Sequence, residues 1–292
     1  NKSTNLTPFG YNVDNFMSYA VQGALSKGKI DKKVYSVDLK ADYAGQLGVI
    51  SHESVLGFQT FQTTVKAMSG GGQQFPGPGL EVLGALGSNS AGSSFSEVVE
   101  AGVLAQTRIG YKDWLYTTVG VRNDANSAFG ADFTTITYPR MNVSYIPTNQ
   151  LGQLGPVSTA RLRFAWGQAG QQPGAFDQFT TYLPWASEFG PGVSPGNVGN
   201  PALKPEISTE IEMGGEVGLL NDKLAFDFQY WSRDVSDALI QKQYPQSGGF
   251  YRTQVSNIGS LEASGWEIGV DASLIRNSNY SVDLYGSISY LE

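Results

Sequence analysis

The segment of residues 207–233 constrains the fold more than any other part of the sequence, because its apolar side chains recur at every second position. This period of two is typical of a β-strand that has one apolar and one polar face. The first arm alternates isoleucine, methionine, valine and leucine with serine and glutamate. After Asn221-Asp222-Lys223, a second arm alternates leucine, phenylalanine and tyrosine with aspartate, glutamine and arginine. The segment is therefore predicted to be a hairpin of two strands.

The two arms of this hairpin align so that one apolar face continues across the turn. With Leu219 opposite Leu224, the alignment also pairs Val217 with Phe226, Gly215 with Phe228 and Met213 with Tyr230. A soluble sandwich would bury that face. A transmembrane barrel would turn it to lipid and would place the carboxylates in a wet interior. The hairpin alone leaves both alternatives open.

Composition narrows the class of protein. Charged residues make up 15% of the chain, below the roughly 25% of typical soluble domains, while 36 glycines and 12% aromatics indicate many strands and turns. The net charge of −7 argues against nucleic-acid binding, which needs a basic face. The absence of cysteine and the single histidine, His52, argue against thiolate or histidine metal sites and against a Ser/His/Asp triad. We therefore predict an all-β chain that is not an enzyme and that holds no metal or cofactor.

The rest of the sequence favours the membrane alternative. Roughly eleven strand-like segments recur along it, separated alternately by short turns and by long loops rich in Gly and Pro. The long loops are predicted at residues 69–96, 123–135, 167–205 and 234–253. Tyrosine and tryptophan cluster near strand ends, as in the aromatic girdles of membrane barrels. No apolar run reaches the roughly 20 residues of a transmembrane helix.

These features predict a transmembrane antiparallel β-barrel with short periplasmic turns and long extracellular loops. An odd number of strands is unusual for a bacterial barrel, and the chain stops directly after a strand pattern. We therefore expect the chain to form part of a larger barrel.

Several stretches resemble a known family of membrane barrels. The stretch Asn200-Pro201-Ala202-Leu203-Lys204-Pro205-Glu206 resembles the NPxLKPE strand of TonB-dependent outer-membrane transporters. Three further stretches resemble the SusC/RagA-like branch of that family and occur in the same order: residues 111–130, residues 138–146 with 161–173, and residues 257–274. The resemblance covers the chain from about Gly110 to its end. The earlier part matches the family only in its succession of strand-like segments and connections.

The resemblance implies that residues 1–292 are a C-terminal portion of a barrel of about 22 strands with a plugged lumen. It also implies energised uptake of a bulky nutrient, such as an oligosaccharide or a peptide, across the bacterial outer membrane. The implied partners are outer-membrane lipid, a SusD-like substrate-binding lipoprotein and a TonB-type energy-coupling protein. No plug domain, signal peptide or coupling box is recognisable in the sequence. A passive porin-like channel and a structural or adhesive surface barrel are the alternatives.

Two groups of residues are candidates for function. The acidic row Glu206, Glu210, Glu212 and Glu216 is interpreted as a hydrated barrel wall rather than an acid/base pair, because its even spacing places it on one strand face. Loop aromatics are candidates for stacking on a ligand, with packing against one another or against a partner subunit as the alternative. These aromatics are Phe176, Phe179, Tyr182, Trp185, Phe189, Tyr244, Phe250 and Tyr251.

Overall fold

The computed structural model of the chain describes residues 1–8, 22–129, 135–245, 247, 253–276 and 278–292. The strands in these residues are β1 (Lys2–Thr7), β2 (Ala24–Leu47), β3 (Ile50–Gln73), β4 (Ser88–Tyr111), β5 (Leu115–Asn126), β6 (Ile136–Tyr145), β7 (Val157–Gln171), β8 (Thr181–Ser187), β9 (Gly190–Asn197), β10 (Glu206–Leu219), β11 (Leu224–Ser236), β12 (Leu239–Gln243), β13 (Thr253–Asn257), β14 (Leu261–Arg276) and β15 (Ser281–Leu291). A short helix, α1, spans Pro147–Leu151, and a 3-10 turn spans Leu83–Ala85. Within the described ranges, no helix combines the length and the apolar character needed to cross a membrane.

Eleven of these strands form one sheet in the order β1-β2-β3-β4-β5-β6-β7-β10-β11-β14-β15. Apart from the small separate hairpins β8–β9 and β12–β13, neighbours in the sheet are neighbours in the chain. The strand pairs of β4 to β15 are antiparallel, which gives a continuous meander. The prediction of an antiparallel all-β fold is confirmed.

The hairpin of β10 and β11 has the register that the apolar alternation predicts. Leu219 lies opposite Leu224 and Met213 lies opposite Tyr230. The turn between the strands has positive φ angles of 56°, 59° and 59° at Leu220, Asn221 and Asp222. A hydrogen bond from Ser158 Oγ to Asp222 Oδ1, 2.7 Å long, ties this turn to β7.

The chain divides into two compact units. The first unit comprises Asn1–Ser36 and Phe61–Val99. It contains a small buried cluster in which Leu25, Phe75 and Leu86 are nearly inaccessible and Leu83 packs against them. Here β1 pairs with the beginning of β2, from Lys2 opposite Lys29 to Thr7 opposite Ala24.

The long loop predicted at residues 69–96 is wrong for half of its length. Strand β3 continues to Gln73, β4 begins at Ser88, and only residues 74–87 connect them. A Cβ atom added at Gly72 would lie 2.0 Å from the carbonyl oxygen of Ser88, and one at Gly71 would lie 3.1 Å from that of Leu25. The glycines therefore permit close strand packing here, a use that sequence composition alone does not distinguish from a turn.

Replacing Gly72 by valine is expected to destabilise this end of the β3–β4 pair, because the new side chain collides with the backbone of Ser88. The expected cost is about 1–3 kcal/mol. Limited proteolysis of the folded protein should show new cleavage within residues 70–90. Gly77→Val is the matched control, since a Cβ there meets no heavy atom within 4 Å. Equal cleavage of the two variants would contradict the close packing.

The second unit comprises Val37–Thr60 and Glu100–Glu292 and has a sheet with two different faces. One row across it aligns Val143, Phe164, Met213, Tyr230, Trp266 and Tyr290. None of these side chains is buried: Met213 is 48% exposed and Phe228, on the same face, is 47% exposed. We call this surface the apolar face, and the opposite surface the polar face. A sandwich would bury such a row, so its exposure favours contact with lipid.

Candidate functional site

The polar face of β7, β10 and β11 carries a chain of ion pairs. The two terminal nitrogens of Arg163 lie 2.8 Å from Glu216 Oε1 and 2.7 Å from Asp227 Oδ2. Nearer the start of β10, Arg233 Nε on β11 donates to Glu210 Oε2 at 2.6 Å. The carboxylates of Glu210 and Glu216 are therefore engaged by arginines. This arrangement agrees with a hydrated wall of mixed charge.

The polar face continues onto β6 and β4 through further arginines. Arg161 Nε donates to Ser144 Oγ at 2.9 Å, and the Arg140 guanidinium donates to Gln106 Oε1. Arg140 fits because Gly120 and Gly167 are its cross-strand neighbours, and a Cβ on either glycine would approach it to 3.1 or 3.4 Å. A glycine opposite an arginine at the polar parity is the sequence signal that would have located this network.

The charged side chains border a groove of about 330 Å³ on the polar face, lined by Ser144, Arg161, Arg163, Glu212 and Gln229 among others. Its lining mixes both charges and neutral hydrogen-bonding groups. In the part of the chain that the structure describes, no group of three or more His, Asp or Glu side chains is arranged to hold a metal ion. The expectation that the chain uses no metal or cofactor stays a prediction.

The stretch from Asn200 to Glu206, which carries the family motif, binds the β12–β13 hairpin. Asn257 Nδ2 donates to the carbonyl oxygens of Lys204 and Asp237, each at 2.8 Å. Its Oδ1 accepts from the backbone N–H of Lys204, also at 2.8 Å. Asn257 thus joins three backbone groups from two connections of the chain.

Other contacts reinforce this junction. Gln254 Nε2 donates to the carbonyl of Gly199 at 2.9 Å, and Glu206 Oε2 accepts from the backbone N–H of Leu239 at 3.0 Å. The side chains of Leu203 and Pro205 are fully buried. Glu206 therefore caps the start of β12 rather than extending the acidic row of the wall. The motif residues hold two long connections together.

The candidate ligand-binding aromatics lie on the connection between β7 and β10. Phe176 and Phe179 belong to adjoining turns, and the Asn197 side chain donates to the carbonyl oxygens of both, at 3.0 and 3.2 Å. Tyr182 lies on β8 and Phe189 in the turn before β9. The exposed fractions of these four side chains are 47%, 51%, 62% and 101% in chain order. They are accessible, as contact with a ligand requires.

Among the other candidate aromatics, the structure describes the side chain of Tyr244 alone. Tyr244 donates its hydroxyl to Gln254 Oε1 at 2.5 Å, so its polar end is held against the β12–β13 hairpin. Phe250 and Tyr251 lie outside the described residues, as does the side chain of Trp185. The structure therefore brings Phe176, Phe179, Tyr182 and Phe189 onto one connection and Tyr244 onto another.

A single antiparallel sheet with an exposed apolar face, a charged face and alternating short and long connections defines the wall of a transmembrane β-barrel. The sequence matches the family described as TonB dependent receptor-like, beta-barrel, over residues 2–292. The chain belongs to that family. The resemblance predicted from the motifs is confirmed.

Relatives show how much of a whole receptor this chain represents. It is 25% identical over 199 residues to the TonB-dependent receptor P26 of Formosa agariphila, covering 65% of this chain and 20% of that protein. It is 29% identical over 186 residues to the TonB-dependent receptor SusC of Bacteroides thetaiotaomicron, covering 59% of this chain and 18% of SusC. The aligned part of the chain thus spans about one fifth of the length of these curated relatives.

A solved structure supports the fold over nearly the whole chain. The structure of the RagAB peptide transporter superposes with a TM-score of 0.87 at 18% identity, covering 99% of this chain and 33% of the transporter chain. The same transporter in its open-open state superposes with a TM-score of 0.85. At this level of identity, the comparison establishes the shared fold.

Proposed function

We propose that this chain forms part of the barrel wall of an outer-membrane transporter that imports a bulky nutrient by TonB-dependent uptake. The observation that carries the proposal is the family match along residues 2–292, joined to a sheet whose two faces suit lipid and water. The substrate class is an oligosaccharide or a peptide. The accessible aromatics of the β7–β10 connection offer flat apolar surfaces on which sugar rings or peptide side chains can stack.

The partners follow from the same proposal. Residues 1–292 supply barrel wall within a barrel of about 22 strands, and the plug and coupling box lie in parts of the protein outside this chain. Lipid of the outer membrane surrounds the apolar face. A SusD-like lipoprotein delivers the substrate at the long connections, and a TonB-type protein supplies the energy.

The test of the ligand-contacting role replaces Phe176, Phe179 and Tyr182 together by alanine in the whole protein. We expect the apparent affinity for the imported nutrient to fall by about tenfold or more, since exposed aromatics that anchor a ligand each contribute on the order of 1 kcal/mol or more. The measurement is uptake of radiolabelled oligosaccharide and peptide pools by cells. Tyr290→Ala, at a 53% exposed position on the apolar face of β15, is the control for loss of an accessible aromatic. Unchanged uptake by the triple variant would show that these three aromatics do not contact the ligand.

Energy dependence separates this proposal from a passive porin-like channel. A protonophore should stop uptake if the barrel is part of a TonB-dependent transporter, whereas diffusion through an open channel would continue. A structural or adhesive barrel would give no uptake under either condition and would show cell-surface attachment instead.

A further inference from the structure

Two arginines of the polar face have no carboxylate partner. The arginines that do have one, each within 3.6 Å of a carboxylate oxygen, are Arg108, Arg122, Arg163 and Arg233. Among the ion pairs of the described residues, none includes Arg140 or Arg161. Of these two, Arg161 lines the groove of about 330 Å³ on the polar face. Its guanidinium is therefore a charged group of that groove whose donors are not used up by a carboxylate.

Ser144 holds Arg161 in place of the nearest carboxylate. Glu216 lies directly opposite Arg161 on β10, yet its Oε1 is 2.8 Å from a terminal nitrogen of Arg163. Arg161 Nε instead donates to Ser144 Oγ at 2.9 Å, and Ser144 is only 9% exposed. This bond fixes the guanidinium at Nε and leaves its terminal N–H groups for a ligand. A carboxylate is the group that accepts such paired donors best.

Glu212 supplies the opposite charge in the same groove. It lines the groove, and no ion pair among the described residues includes it. Its neighbour Glu210, on the same face of β10, accepts from Arg233 at 2.6 Å. The two glutamates thus share one arginine, so an ammonium group is the suitable partner for Glu212. Asn142 and Gln229 also line the groove and offer amide groups to a peptide backbone.

The spacing of the two charges sets the length of a ligand that contacts both. Ser144, which holds the guanidinium of Arg161, lies opposite Arg163, and Glu212 lies opposite Ala165. The two charged groups are therefore two residues apart along the sheet and up to two strands apart across it, or roughly 12 Å. An extended tripeptide spans roughly 10 Å between its termini, and the side chains cover the remainder. A single amino acid is too short to contact both ends.

We propose that this groove binds short peptides in an extended conformation, with the C-terminal carboxylate on Arg161 and the N-terminal ammonium on Glu212. The inference rests on the proposed uptake of a nutrient and assigns the class of that nutrient. A peptide carries both charges at this spacing, whereas a neutral oligosaccharide carries neither. Because the groove lies on the polar face of the wall, it contacts the peptide inside the barrel and is separate from the aromatics of the long connections.

The test is equilibrium dialysis of the purified whole protein, in detergent, against radiolabelled trialanine, its C-terminal amide and its N-acetyl form. The wild type should bind trialanine about tenfold more tightly than either modified form, since each modification removes one charge-assisted interaction. Arg161→Gln should abolish the preference for the acid over the amide and keep the preference for the free amine. Glu212→Gln should do the converse. A purely structural role of either residue would not separate the two preferences in this way.

Arg108→Gln is the matched control on the polar face. The Arg108 guanidinium already pairs with Glu53 at 3.6 Å and lies 4.8 Å from the centre of the Tyr116 ring. This variant should keep both preferences of the wild type.

Equal binding of the three trialanine forms by the wild type would overturn the proposal, and this comparison needs no variant. Unchanged preferences in both Arg161→Gln and Glu212→Gln would also overturn it. A lower melting temperature of those variants would then show that the two groups bind another part of the whole protein. Tighter binding of maltotriose than of trialanine would assign the groove to an oligosaccharide and reject the peptide.

Dialysis distinguishes this inference from the proposed transport, because binding to purified protein needs no energised membrane. A failure of protonophore-sensitive uptake in cells would overturn the transport proposal and leave the binding result standing.

Discussion

Arginine in place of Phe228 is expected to cost the folded protein about 2–4 kcal/mol in a lipid bilayer, the cost of a cationic side chain at mid-membrane depth on the lipid side of a barrel. Phe228 is 47% exposed on the apolar face and is aligned with Gly215 on one side and Ile268 on the other. Its arginine variant would have no water and no carboxylate to contact. The measurement is the free energy of unfolding in urea in the presence of phospholipid vesicles.

Gln229→Arg is the matched control for this prediction. Gln229 is the next residue along β11, lies on the polar face and is aligned with Glu267. A new arginine there can pair with that carboxylate in a wet interior, so the free energy of unfolding should change by less than about 1 kcal/mol. Equal destabilisation by the two variants would show that the two faces do not differ in their surroundings, and the assignment of a lipid-facing side would fail.

Alanine in place of Asn257 is expected to release the junction between the two long connections. Three hydrogen bonds of 2.8 Å between the Asn257 side chain and the backbone of Lys204 and Asp237 are lost together. At about 0.5–1.5 kcal/mol for each bond, the local stability should fall by roughly 2–4 kcal/mol. Hydrogen exchange should accelerate in residues 199–205 and in β12 and β13, while exchange in β10 and β11 stays unchanged.

Ser256→Ala is the control for this second prediction, since Ser256 is one residue earlier on β13 and projects to the opposite face of that strand. Its exchange pattern should match the wild type. If Asn257→Ala also left exchange unchanged, the family motif would not depend on Asn257 to hold the β12–β13 hairpin. If the variant accelerated exchange across the whole sheet, the junction would stabilise the barrel wall rather than the connections alone.

The register of the β10–β11 hairpin could be predicted to the residue because two independent signals coincide there. Apolar alternation fixes which side chains share a face, and Asn221-Asp222 provides a turn with positive φ. The alternation of apolar and polar residues does not identify the strands in residues 69–96, because Gly and Ser occupy both faces there and differ little in polarity. The strand ends at Gln73 and Ser88 could therefore not be predicted, since the same composition is typical of loops.

The site was predicted less completely than the fold. The aromatics of the β7–β10 connection could be named from their residue type, but the hairpin of β8 and β9 that holds some of them was missed, because Gly and Pro dominate its second strand. The role of Asn257 could not be predicted from the sequence, since its hydrogen-bond partners Lys204 and Asp237 are 53 and 20 residues away. Contacts between distant connections leave no local pattern.

Cysteine scanning of residues 224–233 tests most directly that these strands form the wall of a membrane barrel. The chain contains no cysteine, so single substitutions introduce one defined label into it. Spin labels at 226, 228 and 230 should be accessible to oxygen dissolved in lipid, and labels at 225, 227 and 229 to a water-soluble nickel chelate. This alternation is the predicted result for protein reconstituted in vesicles. Labels at 226, 228 and 230 that are shielded from both reagents would mean that the apolar face is a buried protein core, and would contradict the account.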